Sequence, residues 1–564
     1  MRKIVIISGR LCNGKSGLAE SLGRDFGYHV VKTDAILQQE NSQRGAPPDS
    51  AGLQLLGEKL NSETNHRWVY DEVVRQCSQL PHHVDIVVDS ISTQGQLEHF
   101  RQDHGFEVVH AHLYAPLTTL HRRFAKQYSL ASDKAVEQFV QFDSLRDDST
   151  IDHFKSDADV RINTDRCDDQ DTLVRVAARL GLYSPPDVRC VDVVIGGQYG
   201  SEGKGHIAAY LARDYDVLVR VGGPNAGHTV SSVSGLYTYH LLPSGTRDTN
   251  AQILLGPGMT IHVENLLREI EECQIGADRL YIDPQAMIIE SEDIDSEKEM
   301  VARIASTGRG GGAAAARRIL GRKPGAVRLA RNVAELAPYV GTTKPYRGST
   351  TRQLELAYRR NLSILLEGTQ GSGLSLYHGD YPYVTSRDTN VAGCLAEAGI
   401  SPSRVRRILM VVRPTPIRVG NPDGGQESSG ELKHEVSFDR VAEEAGLDPT
   451  IVNQREITST TKRNRRVGWF EWEQFRQACA LNAPTDIVLT FADYIDSTNQ
   501  SARRFEQLSQ HTIKFVEELE RVAHAPVSLI NTRFPTNPAE RLDLRTVIDR
   551  RNWITYRQQP TTQS

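Results

Sequence analysis

Twice in this chain a run of β-branched apolar residues gives way to a glycine-rich turn and then to a helical pattern, first from Ile4 and again from Val191. The order of those elements is restrictive. An all-apolar strand needs cover on both faces, the turn lets backbone amides converge, and the helix that follows carries the chain back over the sheet. Both segments therefore read as openings of α/β domains with mainly parallel sheets. Between them, Tyr183-Ser184-Pro185-Pro186-Asp187 joins turn-formers to a Pro-Pro pair that no helix interior tolerates. We place one domain at 1–185, a second at 189–557 and a polar tail at 558–564, because 564 residues exceed what a single core usually organises.

In the first domain, strand-like runs at Lys3–Ser8, Tyr28–Lys32, Val84–Asp89, Val108–Tyr114 and Asp159–Asn163 alternate with longer helical stretches. In the second, the glycines of Gly308–Ala316 suit a loop and its alanines can start a helix. A net charge of -5 supplies no overall positive field, so neither nucleic acid nor an anionic membrane surface is expected as a partner. Seven cysteines lie far apart, with no CxxC pair, as in a reduced, cytoplasmic protein. No run approaches the roughly 20 apolar residues of a membrane-spanning helix.

Gly9-Arg10-Leu11-Cys12-Asn13-Gly14-Lys15-Ser16 fits GxxxxGK[ST] in the strand-to-helix context that this phosphate loop needs. Backbone amides around Gly9, Asn13 and Gly14 would converge on phosphate oxygens, Lys15 would reach the β and γ phosphates, and Ser16 would hold Mg²⁺. Asp89 ends a strand and either orients water on the magnesium or caps the strand end. Asp34 and His121-Arg122-Arg123 resemble acceptor and lid positions of nucleoside monophosphate kinases, so a phosphotransferase or a nucleotide-binding module is the expectation for this domain.

The second turn, Val193-Val194-Ile195-Gly196-Gly197-Gln198-Tyr199-Gly200-Ser201-Glu202-Gly203-Lys204-Gly205, has a different glycine spacing but the same means of capturing an anion. After it come Arg220-Val221-Gly222-Gly223-Pro224-Asn225-Ala226-Gly227-His228-Thr229, Ser306-Thr307-Gly308-Arg309-Gly310, Glu367-Gly368-Thr369-Gln370-Gly371, Tyr381-Pro382-Tyr383-Val384-Thr385-Ser386 and Thr460-Thr461-Lys462-Arg463-Asn464-Arg465-Arg466-Val467-Gly468-Trp469. Together and in this order, from about Arg189 to Arg545, these blocks resemble the adenylosuccinate synthetase family.

The resemblance implies a ligase that phosphorylates O6 of a purine nucleoside monophosphate with GTP or ATP and Mg²⁺, then lets the amine of L-aspartate displace that phosphate at C6. Lys204, His228, Ser201 and Gln370 take catalytic positions. Asn225, Thr307, Arg317, Gln370, Thr385 and Arg418 match the substrate nucleotide's site, with Arg317 reaching across a homodimer interface. Thr460, Thr461, Arg463 and Arg465 match the grip on aspartate. Gly200, Glu202, Gly203, Lys204, Gly205 and Asp493 match the triphosphate site, and the Gly227 carbonyl matches a magnesium ligand.

Two departures bear on the substrates. The family carries aspartate where this chain has Ser201, and a hydroxyl is a poor base and a weak magnesium ligand. The same serine is a feature of phage 2-aminoadenylosuccinate synthetases acting on dGMP, so IMP and a guanine nucleotide both stand as acceptors. Phe491 removes a lysine that often precedes the base-reading aspartate, and Asn531-Thr532-Arg533-Phe534 replaces a Gly-Pro turn, which leaves GTP and ATP both open. A reading of another class is a nucleotide-binding regulatory protein that no longer ligates; Lys204, His228, Arg463 and Arg465 speak against it.

Overall fold

The computed structural model describes residues 1–44, 50–143, 148–232, 235–340, 349–422, 428–458, 463–533 and 546–553. The polar tail and the Thr460-Thr461 pair lie outside the described residues. The chain divides into two compact units, Met1–Tyr183 and Ser184–Ser564.

In the first unit β1 (Arg2–Ser8), β2 (His29–Val31), β3 (Ile86–Val88), β4 (Phe106–Tyr114) and β5 (Val160–Asn163) form one sheet in the order β2-β3-β1-β4-β5. Every pairing in it is parallel, and each strand overlaps one of the five apolar runs of the sequence, β1 starting one residue and β4 two residues earlier. Side chains of β1 alternate between two cores: Val5 and Ile7 meet Leu18, Leu22, Leu173 and Val176, while Ile4 and Ile6 meet Val69, Val73 and Phe100. Such alternation is what a strand covered on both faces requires. The phosphate loop turns tightly out of β1, because a Cβ on Gly9 would collide with the Leu113 carbonyl.

The strands of the second unit are, in chain order, β6 (Val191–Gly196), β7 (Val217–Arg220), β8 (His228–Ser232), β9 (Gly235–Tyr239), β10 (Gln252–Leu255), β11 (Thr260–Ile261), β12 (Leu280–Ile282) and β13 (Met287–Ile288). There follow β14 (Ile364–Glu367), β15 (Val405–Val412), β16 (Ile417–Val419), β17 (Glu435–Val436), β18 (Arg465–Gly468), β19 (Asp486–Leu489), β20 (Val527–Asn531) and β21 (Val547–Asp549). Nine of them make the central sheet, ordered β12-β10-β7-β14-β6-β15-β19-β20-β21. Its pairings are parallel apart from β21, which runs antiparallel to β20 at the edge. Val193 and Ile195 pack with Leu366 and Met410 on one face, and Val194 packs with Leu365, Leu409 and Val411 on the other. Because β7, β14 and β6 are neighbours and parallel, the loops leaving their C-terminal ends converge, which is where open α/β sheets hold ligands.

Candidate active site

The loop after β6 runs from Gly197 to Gly203 and opens into the helix Lys204–Ala212. Glu202 turns inward: Oε1 accepts from the amides of Gln198 (3.0 Å) and Gly200 (2.7 Å), and Oε2 receives the Lys204 ammonium at 2.8 Å. Both side chains are buried, at 1% exposure for Lys204 and 0% for Glu202. The carboxylate of Glu202 is therefore committed to the loop interior, and its carbonyl accepts from the Thr490 hydroxyl at 2.6 Å, which narrows its expected part in triphosphate binding. Lys204 is held within the loop, where the 3.3 Å contact of its ammonium with the Gly200 carbonyl completes its setting.

His228 begins β8 with its ring buried. Its Nδ1 lies 2.5 Å from Glu367 Oε1 and 2.8 Å from an Arg220 nitrogen, and Arg220 also pairs with that carboxylate oxygen at 2.8 Å. The Ser244 amide and hydroxyl complete the carboxylate's coordination at 2.7 and 2.6 Å. Burial alone would raise the Glu367 carboxyl, but Arg220, His228 and Ser244 outweigh it and hold it at about 2. Burial, reinforced by the Arg220 charge, lowers His228 to about 4. Two acceptors cannot share so short a contact without a proton, so Nδ1 carries the hydrogen toward Glu367. The neutral ring then presents Nε2, which is buried with no hydrogen-bond partner among the described residues. Donating from Nε2 to a phosphoryl oxygen needs a second proton, which an incoming anion favours.

Beyond β14 the chain passes under the glycine loop. A Cβ on Gly371 would collide with the Gln198 carbonyl and the Glu202 carboxylate, and Gln370, at φ +58°, sets its Cα beneath Gly200. Around the N-terminus of the helix Gly311–Leu320, a Cβ on Gly311 would stand 3.3 Å from Asn225 Oδ1 and one on Gly312 would stand 2.9 Å from Ser386 Cβ. Asn225 Oδ1 and Thr307 Oγ1 are buried without hydrogen-bond partners among the described residues. The structure thus brings Asn225 and the Thr385-Ser386 turn to one helix terminus, an anion-binding position. Arg317 is occupied differently, in a bidentate pair with Asp293 at 2.9 and 2.6 Å.

The expected aspartate grip is tied to this loop through residues that sequence reading did not single out. Arg465 donates to Glu456 Oε2 at 2.8 Å, and Arg413 donates to Glu456 Oε1 at 2.7 Å. Arg413 also reaches the Ser201 carbonyl at 3.5 Å, and its backbone amide and carbonyl exchange two hydrogen bonds with the Gln198 side-chain amide. Two guanidinium groups outweigh burial and hold the Glu456 carboxyl at about 2. Arg463 NH1 and Arg465 Nε are buried donors without partners among the described residues. Arg418 stacks on Tyr199 of the glycine loop at 4.0 Å and donates to the Ser429 carbonyl. Phe491 packs beside Gly203 and under the Arg413 guanidinium, 4.2 Å away. Asp493 is buried and raised by burial to about 6; Gln500 meets Oδ2 at 3.2 Å, while Oδ1 has no partner among the described residues.

These groups do not fit a magnesium ion held chiefly by the protein. Magnesium is usually bound through one or two carboxylates and phosphate oxygens, but Glu202 is already paired with Lys204, which leaves the Ser201 hydroxyl and the Gly227 carbonyl as neutral donors. In the first unit, Lys15 donates to the Arg10 carbonyl at 3.0 Å, while Asp89 accepts from the amide and hydroxyl of Thr33 at 2.9 and 3.0 Å. The Asp89 carboxylate thus anchors the start of the helix Thr33–Arg44. Asp34 is exposed on that helix, and Arg123 lies against the phosphate loop, donating to the carbonyls of Cys12 and Thr164.

Residues 193–331 and 316–500 match the family model described as adenylosuccinate synthetase. The adenylosuccinate synthetase of Methanococcus vannielii is 34% identical over 349 residues, which cover 60% of this chain and 95% of that protein. Among solved structures, the cyanophage S-2L succinoaminodeoxyadenylate synthetase bound to dGMP and dATP as an energy donor is 29% identical with a TM-score of 0.51, over 64% of this chain and 95% of that one. Plasmodium falciparum adenylosuccinate synthetase shares the fold, with a TM-score of 0.52 at 22% identity over 64% of this chain and 100% of its own. Fold, site and relatives define an enzyme that forms carbon–nitrogen bonds on purine nucleotides. The chain belongs to the adenylosuccinate synthetase family, through its second unit.

Proposed function

We propose that the second unit condenses L-aspartate with C6 of a guanine nucleotide, GMP or dGMP, at the expense of a nucleoside triphosphate. Ser201 carries this reading. Guanine brings an amine at C2 that crowds a carboxylate at this position, whereas a hydroxyl accepts its hydrogen bond at less steric cost. The likeness to a synthetase solved with dGMP supports the same choice. Arg413 and Asp493 line the side of the loop assigned to the triphosphate base, and Asp493 Oδ1 is an acceptor suited to guanine N1 and N2, so GTP and ATP are both retained as donors. Magnesium enters with the triphosphate.

The sequence of events follows from the residues. Lys204 and the loop amides stabilise charge on the transferring phosphoryl group, His228 meets that group from Nε2, and Gln370 faces the purine's 6-position. Arg463 and Arg465, with two buried donor edges unpartnered among the described residues, grip the carboxylates of aspartate so that its amine displaces phosphate at C6. Arg317, from a second copy in a homodimer, completes the nucleotide site. The first unit is a separate nucleotide-binding or phosphotransfer module. Purified protein with aspartate, magnesium, ATP or GTP, and IMP, GMP or dGMP, followed by mass spectrometry, tests the reading. Guanine nucleotides are consumed faster than IMP; a preference for IMP overturns the acceptor, and inertness toward all three overturns the ligase.

A further inference from the structure

Gln370 does not choose its own orientation. Its Oε1 sits 3.0 Å from the Thr369 hydroxyl. That hydroxyl in turn accepts from the Arg387 guanidinium, which is clamped by Glu397 through two hydrogen bonds of 2.7 and 2.6 Å. The polarity of this chain is fixed by chemistry. A guanidinium can only donate, and a threonine hydroxyl has one hydrogen to give. Thr369 accepts from Arg387 and has no other acceptor among the described residues, so its one hydrogen goes to Gln370; the atom that it meets is the amide oxygen, and the amide NH₂ is turned the other way. The backbone is equally constrained, with Gln370 at φ +58° and packed beneath Gly200. Glu397 also accepts from the Gly222 amide at 3.0 Å, and a Cβ on Gly222 would collide with both Arg387 and the Thr369 hydroxyl, so the Asn225 segment closes over the same relay.

We propose that Arg387, acting through Thr369, is a positioning and specificity-determining residue that presents Gln370 as a donor to the 6-substituent of the bound purine. The proposal rests on the ligase reading above. An oxygen at C6 accepts that hydrogen bond, whereas an amine at C6 meets a second donor, so the lock admits a 6-oxopurine and turns away a 6-aminopurine. With the lock removed, the amide can rotate by half a turn and accept from a 6-amine with its oxygen as readily as it donates to a 6-oxygen with its NH₂.

The test compares Thr369→Val, which keeps the shape and removes the hydroxyl, with Thr369→Ser, which restores it, in the full-length protein. Calorimetry measures binding of GMP and of its 6-amino counterpart, 2-aminoadenosine monophosphate, and needs no turnover. We expect the wild type to favour GMP, Thr369→Val to narrow that preference by about tenfold or more, and Thr369→Ser to recover it. kcat with aspartate falls in Thr369→Val while KM for aspartate stays unchanged. Thr369→Ala, which leaves the Arg387–Glu397 pair in place, serves if the valine variant does not fold. Undiminished discrimination in the folded variant, or equal impairment by valine and serine, overturns the proposal. A wild-type protein that discriminates but ligates none of the acceptors sinks the ligase reading instead.

Discussion

Replacing Glu367 with glutamine keeps the side chain's shape and removes the charge on which Arg220 and His228 are built. The carboxyl is held at about 2 against an ordinary value of 4.5, which at about 1.36 kcal/mol per pH unit corresponds to about 3 kcal/mol. The folded-state value is depressed, so this stabilisation is whole above 4.5 and is lost as pH falls from 4.5 to about 2. The glutamine variant is therefore less stable than the wild type by about 3 kcal/mol at neutral pH, and the gap closes below pH 4.5 because the unfolded wild-type chain then binds a proton that the folded carboxylate takes up only near pH 2. Urea unfolding of the full chain at several pH values measures this, read in the transition that Glu367→Gln moves and that Lys15→Ala leaves in place. With no anion behind Nδ1, His228 also loses its drive to take up a second proton, and kcat falls about 100-fold, within the range of a general acid–base contribution. A variant within about 0.5 kcal/mol of wild type at neutral pH, with unchanged kcat, refutes the claim that this cluster sets His228.

Glu456→Gln weakens the hold on Arg465 and Arg413, so KM for aspartate rises about tenfold while KM for the acceptor nucleotide changes little; equal effects on both constants would separate Glu456 from the aspartate grip. Asp493, held at about 6 by burial, gives the donor a pH signature. A guanine donor binds more tightly as pH rises through that value and the carboxylate ionises, and an adenine donor binds more weakly, because its N1 prefers the protonated acid. Pre-steady-state or KM measurements between pH 5 and 7.5 check it, and flat profiles for both donors remove Asp493 from the base site. Lys15→Ala abolishes triphosphate binding by the first unit and leaves aspartate-dependent ligation intact, as calorimetry and the ligation assay would show.

The sequence made the strands and both glycine loops legible because their signals are local: β-branched runs, glycine at fixed spacing, a lysine at the helix start. The residues that organise the chemistry had no such signal. Glu367 and His228 are 139 positions apart, and Arg413 and Glu456 are 43 apart, so no window of sequence relates them. What marks them in retrospect is a charged residue ending an otherwise apolar strand, as in Leu365-Leu366-Glu367 and Leu218-Val219-Arg220, since a buried charge demands a partner. Glu202 shows the converse limit. Its place in the motif pointed outward to the triphosphate, and only the fold reveals that its carboxylate is used to hold Lys204.

The most direct test of the account follows the purine's own oxygen. GMP or dGMP labelled with ¹⁸O at C6 is incubated with aspartate, triphosphate and magnesium, and the released phosphate is weighed. A leaving group made from that oxygen carries the label into the phosphate, one atom for each ligation. Unlabelled phosphate accompanying ligated product would contradict the phosphoryl route through Lys204 and His228.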